Sequence, residues 1–201
     1  VKECNPSAVM YVWQGGQEGG HGVCDALTGR VNPCGKLTDT IAYDIRDYPS
    51  TENFGDERKN YYKEDIYVGY RYFESFAKDK VLYPFGFGLS YTAFEIASAI
   101  TDVTENAITV EAVVKNTGDT AGKEVVEIYV EAPQGMLGKP SRVLAGFAKT
   151  QVIAPGEEEK VTIVIPKKAY ASYDDSGVTG HKDSFLLEAG SYKIYAGADV
   201  R

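Results

Sequence analysis

The chain has 201 residues and a formal net charge of −8, with 43% hydrophobic and 25% charged residues. That composition is ordinary for a soluble globular protein, and the length suits one large domain or two small ones. The acidic balance argues against a phosphate-backbone partner, and no apolar run approaches the roughly 20 residues that span a bilayer.

In chain order, Ala8 to Trp13 reads A-V-M-Y-V-W, an apolar run without alternation. It predicts a strand buried on both faces, as in a parallel sheet. The loop Gln14 to Gly22, Q-G-G-Q-E-G-G-H-G, follows. Its glycines permit close approach to a backbone or ligand, but its spacing is not that of a phosphate loop. His21 to Leu27 fits a short helix stopped by Gly29. Glu18 stands at its positive end, where a carboxylate caps.

A turn at Asn32 to Gly35 precedes a strand starting near Lys36. Tyr43 to Lys63 reads as a long loop, and its aromatic residues (Tyr48, Phe54, Tyr61 and Tyr62) predict that it is packed. Ile66 to Tyr72 reads as extended. The stretch Val68 to Thr92 sets large rings among Pro84, Gly86 and Gly88, so it suits a rigid connector between two bodies. One buried strand, one helix and one further strand cannot cover a parallel sheet, so residues 1–92 read as the tail of a larger α/β domain.

Residues 93–201 alternate cleanly. Ile108, Val110, Ala112 and Val114 mark one strand face. Val126, Ile128 and Val130 mark another, and Val161, Ile163 and Ile165 a third. With segments at 94–100, 143–147, 184–187 and 191–196 the count is about seven, the signature of an immunoglobulin-like or fibronectin type III-like sandwich. The last two segments read as strands joined around Glu188-Ala189-Gly190. The fold class is therefore mainly β, a fibronectin type III-like β-sandwich preceded by an incomplete α/β segment.

The three cysteines, Cys4, Cys24 and Cys34, have no C-x-x-C spacing and read as packed thiols of a reducing compartment, with neither disulfide framework nor metal site. His21 and His181 lie in different bodies without a nucleophile context. Glu157-Glu158-Glu159 and Asp174-Asp175 read as solvated turn charges. No cofactor motif is present. The 15 tyrosines fit either domain interfaces and sandwich cores or a sugar-binding surface.

Several segments resemble glycoside hydrolase family 3. They are Q-G-G-Q-E-G-G at Gln14, L-T-G-R-V-N-P-C-G-K-L at Leu27, V-G-Y-R-Y-F at Val68, Y-P-F-G-F-G-L-S-Y-T at Tyr83, K-N-T-G-D-T-A-G-K-E-V-V-E-I-Y-V at Lys115, L-A-G-F-A-K at Leu144 and A-P-G-E at Ala154. Each is weak alone, but together, in the family's order, they are specific.

The resemblance implies a retaining β-glycosidase as parent, a β-glucosidase acting on β-glucosides or oligosaccharides. Its nucleophilic aspartate lies on a TIM-like barrel, and its acid/base glutamate lies in the α/β domain ahead of the glycine-rich loop. Neither maps onto this sequence, so no catalytic residue is expected here. The expected partners are the barrel and the N-terminal part of the α/β domain, with self-association of the unpaired Ala8–Trp13 strand when they are absent.

Trp13, Gln17 and Glu18 are expected to border the sugar pocket, because ligands of open α/β sheets bind beyond the carboxyl ends of the strands. For Trp13, core packing is the competing expectation. Tyr70, Arg71, Tyr83, Phe85, Phe87 and Tyr91 are expected to form the interdomain clamp, with Arg71 holding a carboxylate in bidentate fashion. The competing reading of the whole chain is a carbohydrate- or domain-binding module with no enzymatic role. A bacterial cytoplasmic setting is the expectation, with secretion left open.

Overall fold

The alternation in the second half of the chain is realised as eight strands. In the computed structural model, which describes residues 4–201, these are β3 (Phe94–Val103), β4 (Ala107–Asn116), β5 (Val125–Glu131), β6 (Val143–Lys149), β7 (Glu158–Pro166), β8 (Ser172–Asp174), β9 (Ser184–Leu186) and β10 (Lys193–Gly197). Two antiparallel three-stranded sheets, β3-β4-β7 and β10-β5-β6, face each other. Val110, Ala112 and Val114 of β4 meet Val126 and Ile128 of β5, with Val161, Ile163 and Ile165 of β7 beside them. Each such valine or isoleucine contributes roughly 1.5–3 kcal/mol when fully buried.

The predicted strand faces therefore hold. Ser172–Asp174 is an additional strand that the sequence reading left out. It pairs with β9, while β10 pairs with β5, so the two strands on either side of Glu188-Ala189-Gly190 belong to different sheets.

Residues 4–92 contain α1 (Gly19–Leu27), α2 (Tyr70–Phe76) and a small antiparallel sheet of β1 (Ile41–Ala42) and β2 (Val81–Tyr83). α1 matches the expected helix, with Gly29 at φ +74° just beyond its end. Four expectations fail here. Ala8–Trp13 forms no strand, and Val9 (56% exposed) and Tyr11 (64%) lie open. A strand exists only through its neighbours' hydrogen bonds, and the described residues supply none.

The strand expected near Lys36 is likewise absent. Leu37 instead makes single backbone bonds with Phe87 and Gly86. Ile66–Tyr72 is not extended: its second half enters α2, where Phe73 and Ala77, four apart, face one small core. In the 43–63 loop only Tyr48 is packed, edge-on against Phe73 at 5.2 Å, while Phe54 and Tyr62 are almost fully exposed.

Candidate functional site

The glycine-rich loop and the connector were the two sites expected from sequence, and the structure keeps them apart in character. Trp13 adopts φ +57° and is 65% exposed, with its ring edge-on to Tyr11 at 5.2 Å. It therefore packs no core among the described residues. Gln17 and Glu18 are also exposed. Glu18 does occupy the N-cap position of α1 but makes no capping bond with its side chain. Its carboxylate instead meets Nδ1 of His21 at 2.5 Å. The loop holds its turn through backbone alone, Gly19 N–H donating to Gly16 O at 2.9 Å.

The connector is built. β5 is buried on both faces: Val126, Ile128 and Val130 point into the sandwich, while Glu127 and Tyr129 point out, under the connector. Tyr70 lies 4.6 Å from Phe85 and 6.1 Å from Tyr129, ring centre to ring centre, and its hydroxyl accepts from Leu144 N–H at 2.9 Å. Gly86, at φ +83°, lets the connector backbone reach Glu127 and Asp199; a Cβ there would stand 2.8 Å from Asp199 Cα. A Cβ on Gly88 would collide with Gly35 O.

Tyr83 and Phe87 pair at 5.0 Å, and Tyr91 donates to Ala26 O at 2.9 Å, tying the connector to α1. Arg71 lacks the expected carboxylate among the described residues. Its guanidinium lies 6.0 Å from the Tyr70 ring, beside a groove of 280 Å³ that also involves Asp39, Val68 and Phe85.

Polar bonds complete the joint. Asn32 Oδ1 accepts from Ser90 Oγ and Tyr91 N–H, both at 2.8 Å, while its Nδ2 donates to Ala121 O. Lys36 and Glu124 form an ion pair at 2.8 Å with both side chains nearly buried. Asn116, fully buried, accepts from Thr92 Oγ1 and Gly118 N–H and donates to Thr120 O and Ile153 O.

The carboxylate lock expected of Arg71 is made by other residues. Arg201 Nε donates to Glu74 Oε1 at 2.9 Å, and its Nη2 donates to Lys78 O. Val200 N–H donates to Phe85 O, and Arg142 donates to Val200 O while lying over the Tyr195 ring.

Three further carboxylates were missed or misread. Asp174 is not solvated: it is fully buried and accepts from Gly177 N–H (2.6 Å), Thr179 N–H (2.9 Å) and Thr179 Oγ1 (2.6 Å). The Thr179 hydroxyl, then these N–H groups, hold its pKa well below the usual carboxylate range. Glu188 pairs with Lys139 and accepts from Met136 N–H, and the Lys139 ammonium lowers its pKa. Glu127 goes the other way. Burial raises its pKa, partly offset by the Tyr129 hydroxyl it accepts from and by Lys36. Two of the three cysteines, Cys4 and Cys24, are exposed rather than packed.

A retaining glycosidase needs two carboxyl groups about 5 Å apart with a sugar between them. Glu127 has the raised pKa of a general acid, but the Gly86 backbone covers it. Glu18 is open to solvent and bonded to His21. Among the described residues no group of three or more His, Cys, Asp or Glu could hold a metal ion.

Comparisons with known proteins agree on one relationship. A family model described as the glycosyl hydrolase family 3 C-terminal domain matches residues 2–91, and one described as a fibronectin type III-like domain matches 124–200. A β-glucosidase of Ruminococcus albus is 57% identical over the whole chain, which covers 21% of that protein; for β-glucosidase A of Butyrivibrio fibrisolvens the identity is 48% and the share 26%. Among solved structures, a β-glucosidase from Paenibacillus barengoltzii superposes with TM-score 0.88 at 53% identity, over 94% of this chain and 21% of that one. β-Glucosidase 3B from Thermotoga neapolitana in complex with glucose gives 0.86 at 42% identity, over 95% and 26%. The chain thus spans about a quarter of the length of these relatives. It belongs to glycosyl hydrolase family 3, with that family's C-terminal domain at residues 2–91 and its fibronectin type III-like domain at residues 124–200.

Proposed function

We infer that this chain is a non-catalytic brace of a retaining β-glucosidase that releases terminal β-D-glucosyl residues. The observation that carries the reading is the joint. Connector, α2 and residues 199–201 fix the sandwich to the α/β segment through aromatic packing, a buried ion pair and the Arg201–Glu74 contact. A rigid joint of this kind holds a pocket wall in place for chemistry performed elsewhere. The exposed Trp13, Gln17 and Glu18 are the residues this reading sets at the rim of the sugar pocket. The barrel and the rest of the α/β domain are its partners, and a reducing bacterial cytoplasm suits the exposed thiols of Cys4 and Cys24.

The test is hydrolysis of nitrophenyl β-glucoside by the chain alone, with a thermal melt of the same sample. The expected result is a cooperative melt and no turnover. Turnover that survives purification and disappears in Glu18→Gln would place catalysis inside this chain and overturn the reading.

A further inference from the structure

The tip of the 43–63 loop combines exposure with basic residues. Three stretches of ten or more described residues are exposed throughout: 4–18, 54–63 and 97–106. Only 54–63, F-G-D-E-R-K-N-Y-Y-K, contains Lys or Arg. It belongs to no helix or strand. Among the described residues, 54–60 make two hydrogen bonds, both internal: Asp56 Oδ1 accepts from Arg58 N–H at 2.8 Å and from Lys59 N–H at 3.0 Å. Lys149, Lys160 and Lys193 are exposed too, but they stand on strands, and Lys182 lies in the turn that Asp174 pins.

The chain spans about a quarter of its relatives, so exposure by itself does not keep this tip in water. Its charges do. Asp56, Glu57, Arg58 and Lys59 are four charges in succession, two acidic and then two basic. A covering surface would need a partner for each of them, and every ion left unpaired on burial is costly.

Both sides of the tip are anchored without it. Asn53 Nδ2 donates to Tyr61 O at 2.8 Å and closes the neck of the loop. Leu37 N–H donates to Phe87 O, and Gly86 N–H donates to Leu37 O. β1 pairs with β2, Lys36 meets Glu124, and Asn32 holds Ser90 and Ala121. Each of these contacts joins a residue before the tip to one after it, so a break in the tip removes none of them.

We propose that Asp56–Asn60 is a processing site for a trypsin-like endopeptidase, cut after Arg58 or Lys59, and that the cut chain persists as a two-piece protein. Exposed polar loop tips are where such enzymes gain access, and Arg58 or Lys59 supplies the cation that their acidic specificity pocket takes. Water adds across one peptide bond. It leaves a carboxylate on residue 58 or 59 and an ammonium on the next residue, and no other reactant is consumed. The inference stands apart from the β-glucosidase reading, since it needs only the tip and the contacts around it.

The experiment is limited trypsin digestion of the intact chain under native conditions, followed by intact-mass spectrometry and gel filtration. The expected result is a first cut after Arg58 or Lys59, with both pieces eluting together at the position of the uncut chain. The melt of the cut sample should become dependent on concentration, as for any complex of two chains. Arg58→Gln/Lys59→Gln, at exposed positions, should keep the wild-type melt and slow the first cut by roughly tenfold or more. A first cut at any other basic residue, a wild-type chain left intact, or a variant cut as fast as the wild type would overturn the tip as the site. Pieces that separate on gel filtration would overturn the two-piece protein.

Discussion

Arg201 and Glu74 are 127 residues apart in sequence and meet at 2.9 Å. The Glu74 side chain is 1% exposed and that of Arg201 37%. Among the described residues Lys78 is the one other cation paired with Glu74, at 3.7 Å. Removing Arg201 therefore leaves a buried carboxylate poorly compensated, whereas removing both charges does not. Arg201→Ala is expected to cost about 1–3 kcal/mol in urea unfolding, with most of that loss absent in a Glu74→Gln background. Equal losses in both backgrounds would mean that the pair is incidental to the joint.

Gly86 allows the connector to lie on β5. Its φ of +83° is unfavourable for any residue with a Cβ, and a Cβ there would meet the Asp199 backbone. Flexible side chains can yield to a collision, but backbone cannot. Gly86→Ala should therefore cost about 2–3 kcal/mol. Calorimetry should show the loss as two separated transitions, the sandwich melting above the α/β segment. A single transition close to the wild-type temperature would count against the connector as the coupling element.

Much of this was legible from sequence, for a physical reason. A half-buried strand writes its pairing face into a period of two, so β4, β5 and β7 could be read residue by residue. The clamp was legible in part because rings next to Pro84, Gly86 and Gly88 suit tight packing. α2 was not, because V-G-Y-R-Y-F has the β-branched and aromatic content of a strand, and only packing of Phe73 and Ala77 on Tyr48 decides for a helix. Arg201–Glu74 leaves no local trace at all, since tertiary contact alone defines it. Asp174 misled because Asp-Asp-Ser-Gly looks like an exposed turn, while its carboxylate is turned inward onto its own backbone.

Glu127 gives the joint a dependence on pH. Its pKa is raised in the folded state above the ordinary 4.5, chiefly by burial. A raised carboxyl contributes its stability in full below 4.5 and loses it as pH climbs through the folded value. At neutral pH the buried charge is therefore a cost. Glu127→Gln keeps an acceptor for the Tyr129 hydroxyl and removes that charge. The variant should melt above the wild type at pH 7, with the gap closing toward pH 4. A gap that widens on acidification would show that ionised Glu127 is the favoured form, held by Lys36.

Asp174 should behave in the opposite sense. Its pKa is depressed below the ordinary 3.8 by Thr179 and the turn N–H groups. Stability from a depressed carboxylate is present above the unfolded pKa and lost as pH falls through the folded one. Asp174→Ala leaves the N–H groups of Gly177, Val178 and Thr179 without the acceptor they share, so the 175–183 turn should loosen while the two sheets persist. Limited proteolysis is expected to cut the variant within this turn, and amide exchange there should rise by at least tenfold, against little change in β4 and β5. Asp174→Asn keeps one acceptor oxygen without the charge and should fall between the two. Because only the charged form holds the turn this tightly, the difference between wild type and Asp174→Asn should be constant through the neutral range and shrink only in strong acid. A difference already shrinking above pH 5 would assign the effect to another carboxylate.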